Sequence, residues 1–240
     1  MFSFFHRKQK EIFPFHQLNT DVHSHLLPGI DDGSPDITTS IHLIKGMMDL
    51  GFQQFTATPH VMQDIWKNND ETISAASILL QSALNENNID CPLNVAAEYM
   101  VDENLEFLLQ QKKSLRTIRE NWVLIEISFL QPPLQLKDIL FELQVQGYQP
   151  VLAHPERYLF YAGKIKELIE LKDKGCKLQS NLLSFSGYYG KEVQRFAEQL
   201  VDLNLVSLLG TDLHHERHLE GLKQLQFSKS LQKLMEVVEN

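Results

Sequence analysis

The sequence predicts an α/β fold of parallel strands joined by helices, and three observations carry that reading. Short apolar runs bounded by turn chemistry recur seven times along the 240 residues. Helical patterns separate them, and each run ends in a residue with metal- or phosphate-binding chemistry. Parallel strands joined by helices gather their C-terminal ends on one rim, where such barrels build active sites from residues distant in sequence. Seven strands suggest an irregular or seven-stranded barrel. An open doubly wound sheet is the alternative, which periodicity does not separate from it.

The first run, residues 20–24, overlaps Asp21-Val-His23-Ser-His25 and leads to Gly29-Ile-Asp31-Asp32-Gly33. Two histidines one residue apart at a strand end point to the same side, and neutral imidazole is the commonest side-chain ligand of borderline divalent metals. A helix follows, with Ser34 as its cap, Pro35 in its first turn, a stripe of Ile37, Ile41, Ile44 and Met48, and Gly51 as terminator. Run 52–57 leads into Thr58-Pro59-His60. Asp70 then caps a helix striped by Ile73, Ala76, Leu80 and Leu84. Run 93–97 reaches Glu98-Tyr99, and run 122–125 reaches Glu126. Run 150–153 reaches His154-Pro155-Glu156-Arg157, run 177–178 reaches Gln179-Ser180-Asn181, and run 205–209 reaches Gly210-Thr211-Asp212-Leu213-His214. Helical patterns over 105–109, 137–146, 165–174 (with Gly175 beyond) and 191–203 fill the intervals.

The chain is long enough for one large α/β core and shows no linker, low-complexity tract or internal repeat. Residues 1–18 are read as an N-terminal extension and 19–240 as a single domain. A formal charge of -9 argues against nucleic acid as a partner but not against small phosphorylated groups, because bound cations reverse the local field of an acidic site. Cys91 and Cys176 form no C-x-x-C pair, so a reduced cytoplasmic protein is the simple reading and a single disulfide stays open. No stretch is apolar for long enough to span a membrane, and the N-terminus lacks a signal-peptide core. Phe2, Phe4, Phe5, Phe13 and Phe15 are expected to pack on the domain; contact of the aromatic and basic first ten residues with a membrane surface or partner chain is the competing reading.

Several chemistries fail on inspection. A cysteine phosphatase needs an arginine six positions after its thiolate, where this chain has Ala97 and Leu182. Nucleotide-binding loops and the serine-hydrolase elbow are absent, and His215-Glu216-Arg217-His218 misses the zinc-protease spacing by one residue. Taken singly, candidate residues also have plain structural readings. Glu126 would be a buried acid paired with Arg157, and Asp212 a turn cap. His42 would pack in the core, His215 and His218 would lie on the surface, and Gln179, Ser180 and Asn181 would shape the rim by hydrogen bonds.

As an ordered set, H-x-H, T-P-H, A-A-E-Y, E-I, A-H-P-E-R, Q-S-N and G-T-D-x-H resemble the polymerase and histidinol phosphatase (PHP) superfamily. Within it, the stretch from Asp21 to Gly33 is similar to the opening of the bacterial manganese-dependent tyrosine-protein phosphatases that accompany the kinases of capsule and exopolysaccharide synthesis. The resemblance spans about residues 19–215. It implies a distorted seven-stranded (β/α)7 barrel with a cluster of three divalent ions, manganese first and iron or zinc as alternatives, at the C-terminal rim of the strands. His23, His25, Glu98 and Asp212 would bind the first ion, with Glu98 bridging to a second. His60, Glu126, His154 and His214 would complete the cluster, and Asp32 would approach from the side, leaving Asp31 for turn chemistry with Gly33. A metal-activated water would attack phosphorus, Arg157 would hold the phosphate, and Asp32 or a bound water would supply any proton needed.

Two departures stand out. Related phosphatases often carry a second arginine several residues after the last motif, whereas Arg217 comes three after His214, and Tyr158 follows Arg157 where asparagine is common. Tyr158 would then alter the pocket wall or stack on a substrate ring. The leading function is hydrolysis of phosphotyrosine on a protein, with a tyrosine kinase of exopolysaccharide export as partner. A small-molecule phosphoesterase of the histidinol-phosphate type and a non-catalytic binding module compete with it, and oligomerisation stays open.

Overall fold

The computed structural model describes residues 11–240. Strand β1 (Thr20–Ser24) is followed by α1 (Ile37–Leu50), β2 (Gln54–Ala57), β3 (His60–Val61), α2 (Asp70–Glu86), β4 (Leu93–Val95) and β5 (Glu98–Met100). Then come α3 (Glu103–Gln110), β6 (Trp122–Glu126), α4 (Leu136–Val145), β7 (Gln149–Ala153), α5 (Ile165–Asp173) and β8 (Lys177–Asn181). The chain ends with α6 (Lys191–Asp202), β9 (Leu208–Gly210), α7 (Glu216–Lys223) and α8 (Lys229–Met235). Every pairing between these strands is parallel.

The mixed α/β class is as expected, but the strands form two sheets, ordered β1-β2-β4 and β3-β5-β6-β7-β8-β9, rather than one closed seven-stranded barrel. Two of the strand paths are interrupted near the ends of the expected runs. Thr58-Pro59 separates β2 from β3, and Pro59 has no N–H to give a ladder. The Thr58 N–H turns aside to the carbonyl of Ser24, 2.7 Å away. Ala96-Ala97 makes the matching break between β4 and β5, so each path leaves one sheet and enters the other. At the opposite edge, Asp212 N–H donates to the His23 carbonyl (2.8 Å) and His25 N–H to that of Leu213 (2.9 Å), which sets the end of β1 beside the segment after β9.

Local chemistry corrects two helix starts. Asp36, not Ser34, caps α1 by accepting from Thr39 N–H, while Ser34 donates to the Asp36 carbonyl. Asn69, not Asp70, caps α2, with Thr72 returning the bond in a capping box. The stripe Ile73, Ala76, Leu80 and Leu84 is buried as expected, and Gly51 ends α1 at φ 114°, a conformation that favours glycine. Phe13 and Phe15 are buried, with Phe15 5.6 Å from Phe52; Phe2, Phe4 and Phe5 lie outside the described residues. Cys91 and Cys176 are both buried and unpaired. No helix among the described residues is long and apolar enough to cross a membrane.

Two apolar clusters flank the strands. Val123, Ile125, Leu152 and Leu209 join the large core with the helices, whereas Trp122, Leu124, Val151, Ala153, Leu208 and Ala96 form a smaller one on the alternate face. Strand periodicity then decides where the site goes, because Glu126 continues the face of Trp122 and Leu124, and Glu98 that of Ala96.

Asp21 fastens β1 to the end of β9. Its fully buried carboxylate accepts from Thr211 N–H (3.0 Å) and Thr211 Oγ1 (2.6 Å). Burial pushes the Asp21 carboxyl up to about 6, against the pull of these bonds. Thr211→Val keeps the shape but leaves one carboxylate oxygen unsatisfied, so urea unfolding should show a loss of about 1–3 kcal/mol. An unshifted midpoint would mean that this junction does not depend on the hydroxyl.

Candidate metal centre

At the C-terminal rim, residues from six separate segments converge on Glu98. Its Oε2 lies 3.3 Å from His23 Nε2, 3.4 Å from His25 Nε2 and 3.2 Å from His60 Nδ1, and its Oε1 lies 3.0 Å from His154 Nε2. Glu126 Oε1 is 2.7 Å from His60 Nδ1. Asp212 Oδ1 is 3.4 Å from His23 Nε2 and 3.5 Å from His25 Nε2, and Asp32 Oδ1 stands 3.3 Å from His60 Nε2 and 3.5 Å from His214 Nε2. Three overlapping groups offer ligand atoms within 4.8 Å of one another: His25, Asp32, His60 and His214; His23, His25 and Asp212; and His60, Glu98 and Glu126. His154 falls outside these groups and joins the cluster through Glu98. All nine residues singled out as metal ligands in the sequence therefore meet in one place.

Hydrogen bonds behind the rings set which nitrogen faces the centre. Gln179 Oε1 accepts from His23 Nδ1 (2.8 Å), and the Asp212 carbonyl accepts from His214 Nδ1 (2.9 Å). Asp31 Oδ2 lies 2.8 Å from His25 Nδ1, while its Oδ1 accepts from Gly33 N–H. The turn role expected of Asp31 is thus only half of what it does, because it also aims His25 Nε2 inward. The close packing of sequence neighbours into the G-I-D-D-G loop was the available signal. Gly33 has no room for a side chain, since a Cβ would lie 2.3 Å from the His25 carbonyl oxygen.

The buried polar atoms fit a bound cation. Glu98 Oε2, Glu126 Oε1, His60 Nδ1 and His154 Nδ1 are shielded from solvent and have no hydrogen-bond partner within the protein. The 2.7 Å approach of Glu126 to His60 lacks the angle for a hydrogen bond, which is the situation of two lone pairs aimed at a common point. Burial and the neighbouring Glu98 push the Glu126 carboxyl up to about 7. Nitrogen and carboxylate donors in this mixture suit manganese, iron and zinc. Two ligands also hold left-handed backbone, His154 at φ 36° and Asp212 at φ 53°, strain that non-glycine residues keep where the surroundings over-determine it.

Arg157 stands beside the cluster. Its Nη1 donates to Asp212 Oδ2 (2.9 Å), which Asn181 Nδ2 also reaches (2.7 Å), and its guanidinium lies over the rings of Phe129 (4.8 Å) and Tyr189 (4.7 Å). Asp212, not Glu126, is therefore its partner. Gln179 and Asn181 act by hydrogen bonds, as their plain reading held, whereas the Ser180 hydroxyl is buried without a partner. Arg217 is exposed and does not line the cavity over the cluster. Tyr158 is fully buried behind His154, its hydroxyl accepting from Ile127 N–H, so it is no substrate-stacking residue. His42 is exposed against Glu216 rather than packed in the core. His215 is exposed as expected, but His218 is buried, and desolvation with His215 close by pushes it down to about 3.

Asp31→Asn preserves shape while removing the charge that orients His25. Calorimetric titration with manganese should show affinity reduced by about 10–100-fold, and equal affinity would remove Asp31 from this role.

Comparison with known proteins agrees with this geometry. The family model for capsular polysaccharide synthesis, CpsB/CapC, matches residues 19–230. The tyrosine-protein phosphatase YwqE of Bacillus subtilis is 30% identical over 195 residues, 81% of this chain and 77% of that protein. The tyrosine-protein phosphatase CpsB of Streptococcus pneumoniae is 27% identical over 202 residues, 81% and 82% of the two chains. A solved structure from work on YwqE and CpsB, described as unique metal-dependent tyrosine phosphatases, superimposes with a TM-score of 0.80 at 28% identity, covering 90% of this chain and 91% of that one. With a rim of nine ligand-type residues and a family match over most of its length, the chain belongs to the CpsB/CapC family of capsular polysaccharide synthesis.

Proposed function

We propose that this protein is a metal-dependent protein-tyrosine phosphatase acting on a phosphotyrosine protein, with a tyrosine kinase of capsule or exopolysaccharide export as its substrate. The observation that carries the reading is the convergence of eight ligand-type side chains around a ninth, Glu98, beside a held arginine, in a family whose relatives are named tyrosine-protein phosphatases. We assign His23, His25, Asp32, His60, Glu98, Glu126, His154, Asp212 and His214 to a cluster of three ions, with manganese as the favoured metal. The phosphatase domain is taken as residues 19–240. The seven strand paths, two of them broken, are read as a distorted barrel whose seam is closed by the contacts between β1 and the end of β9. A cytoplasmic setting is supported by the two unpaired thiols.

Divalent cations held by these residues would supply a nucleophile at neutral pH and would neutralise charge on the phosphoryl group. The chain's own residues do the rest. Glu98 and Glu126 provide buried negative charge, and the hydrogen bonds to Gln179, Asp31 and the Asp212 carbonyl fix His23, His25 and His214 in one orientation. Arg157 presents a planar donor fork to the phosphate, a geometry that lysine does not reproduce. Asp32, facing His60 and His214 through one oxygen, serves as a ligand, and these two imidazoles hold its carboxyl well below the usual carboxylate range, which favours a bound water over Asp32 as any proton donor. A tyrosine phenolate with an intrinsic pKa of about 10 leaves with little such help.

Chelator-stripped protein should lose turnover of a phosphotyrosine peptide and regain it with manganese, and should turn over histidinol phosphate poorly. Preference for histidinol phosphate would move the function to small-molecule metabolism, and inactivity toward both would favour a binding module. Glu98→Ala should abolish metal loading and activity together, whereas Arg157→Ala should keep the metal and lose roughly a hundredfold in kcat/KM. Full activity in both variants would remove the assigned site.

No thiol takes part in this scheme. Burial pushes both thiols up, Cys176 to about 12, so neither presents a thiolate near neutral pH. Treatment of the folded enzyme with iodoacetamide at neutral pH should leave its rate unchanged, and stoichiometric loss of activity on alkylation would point to a cysteine nucleophile instead.

A further inference from the structure

The cavity above the cluster, about 610 Å³, has a polar floor and an apolar mouth. Asp32, His60, Glu126, His154, Asp212 and His214 line the floor, and Arg157 stands with them. The mouth is built from Met62, Ile65, Trp66, Met100, Phe129 and Leu130. Three of these are large side chains left in water: Ile65 is 69% exposed, Phe129 49% and Leu130 87%. Single exposed apolar residues are ordinary, but several around one opening mark a contact surface.

The mouth is preformed on one side. Met62 N–H and Asn68 N–H both donate to the Trp66 carbonyl (2.9 and 2.7 Å), closing a tight loop that pushes Ile65 outward. Asn68 Nδ2 ties that loop to the carbonyls of Ile30 and His60, and Gln63 N–H bonds Asp102. On the other side Phe129 lies nearly parallel to the ring of the ligand His154, at 13° and 5.9 Å, and the following Leu130 stands free. The mouth is therefore tied on each side to a floor residue, His60 through its carbonyl and His154 through its ring.

We propose that this mouth is the docking surface for the polypeptide on either side of the phosphotyrosine, and that it selects apolar flanking residues over acidic ones. This rests on the phosphatase reading above. Once a phosphotyrosine reaches the cluster with its phosphate, its neighbours in sequence lie against Ile65, Trp66 and Leu130. Charge points the same way. Among the described residues lining the cavity, Arg157 is the only lysine or arginine, and it is engaged with Asp212 and two rings. The loop that carries Ile65 holds one exposed acid, Asp64, and one exposed base, Lys67, and so adds no net charge. An acidic flank would find apolar side chains and no free cation, in a chain of net charge -9.

The test uses manganese-loaded full-length protein and three substrates: free phosphotyrosine, a phosphotyrosine peptide with leucine and phenylalanine flanks, and one with aspartate and glutamate flanks. The apolar peptide should exceed the acidic one about tenfold in kcat/KM, through KM, the size expected for half-burying one large aliphatic side chain. The paired change Ile65→Ser with Leu130→Ser, on exposed positions that the core does not need, should bring the two peptides within about twofold and lower the ratio of apolar peptide to free phosphotyrosine. A second readout needs no turnover. A non-hydrolysable phosphonate analogue of the apolar peptide should shift Trp66 emission to the blue, and Trp66→Phe should abolish the shift while Trp122, buried at the far end of its strand, stays silent. Equal kcat/KM for the two peptides, or an unchanged ratio in the paired variant, would overturn the docking surface while free phosphotyrosine turnover keeps the phosphatase reading. No turnover of any of the three would overturn both.

Discussion

Burying the carboxylate of Glu98 among imidazoles is the constraint from which the rest of the structure follows. A carboxylate without access to water costs several kcal/mol unless charge and hydrogen bonds meet it. Here the compensation must come from His23, His25, His60 and His154, which reach it from β1, β3 and β7. Those strands can deliver their side chains to one point only if their C-terminal ends share a rim. The parallel arrangement and the crossover helices are therefore requirements of the centre as much as of the core. Close by, Glu126 adds a second buried carboxylate, its carboxyl pushed up by burial and by Glu98, and several of the facing atoms lack partners in the protein. A site so arranged has the donor atoms to hold cations.

The same demand explains features that look like defects of the fold. A continuous ladder through Thr58-Pro59 and Ala96-Ala97 would have kept two strands regular, yet the interruptions re-aim His60 and Glu98 across from one sheet to the other, where they pair at β3 and β5. His154 and Asp212 take left-handed backbone at two ends of the same rim. Both adjustments weaken regular structure, and both sit at ligands. The large apolar core outside the strands, with the Asp21–Thr211 junction, supplies the rigidity against which such local strain persists.

Much of this was readable in the sequence, because strand ends carry their chemistry in contiguous words. H-x-H, T-P-H and H-P-E-R each place a ligand next to a turn signal, and all nine expected ligands do meet. What sequence did not carry was the relation between words. Pairing of Arg157 with Asp212 instead of Glu126 depends on how β7 and β9 lie beside β8, and nothing local records it. Buried His218 and exposed His42 reversed their expected places for the same reason, since α7 packs on α1 and turns His42 toward Glu216 at the surface. Helix caps were misplaced by one or two residues because Ser34, Asp36, Asn69 and Asp70 are all competent caps, and the loop geometry chooses among them. The closed barrel that the sequence led us to expect gives way to two sheets, because the breaks at Thr58-Pro59 and Ala96-Ala97 pass two strand paths from one sheet to the other, and hydropathy does not record them.

Asp212 links the proposed phosphate-binding and metal-binding halves of the site through its two oxygens. Oδ1 faces His23, His25 and His214, while Oδ2 is occupied by Arg157 and Asn181. A carboxylate held by two donors on one oxygen cannot swing freely, so the arginine helps to fix the ligand just as the ligand fixes the arginine. The rings of Phe129 and Tyr189 add a constraint that only a flat guanidinium satisfies, since a lysine ammonium in that gap would keep the charge and lose both the stacking and the fork. Phe129 in turn stacks on His154 and lines the opening. The proposed metal ligand, the proposed phosphate ligand and the opening of the cavity are consequently one connected set of contacts, held by packing and charge at the rim rather than through the distant core.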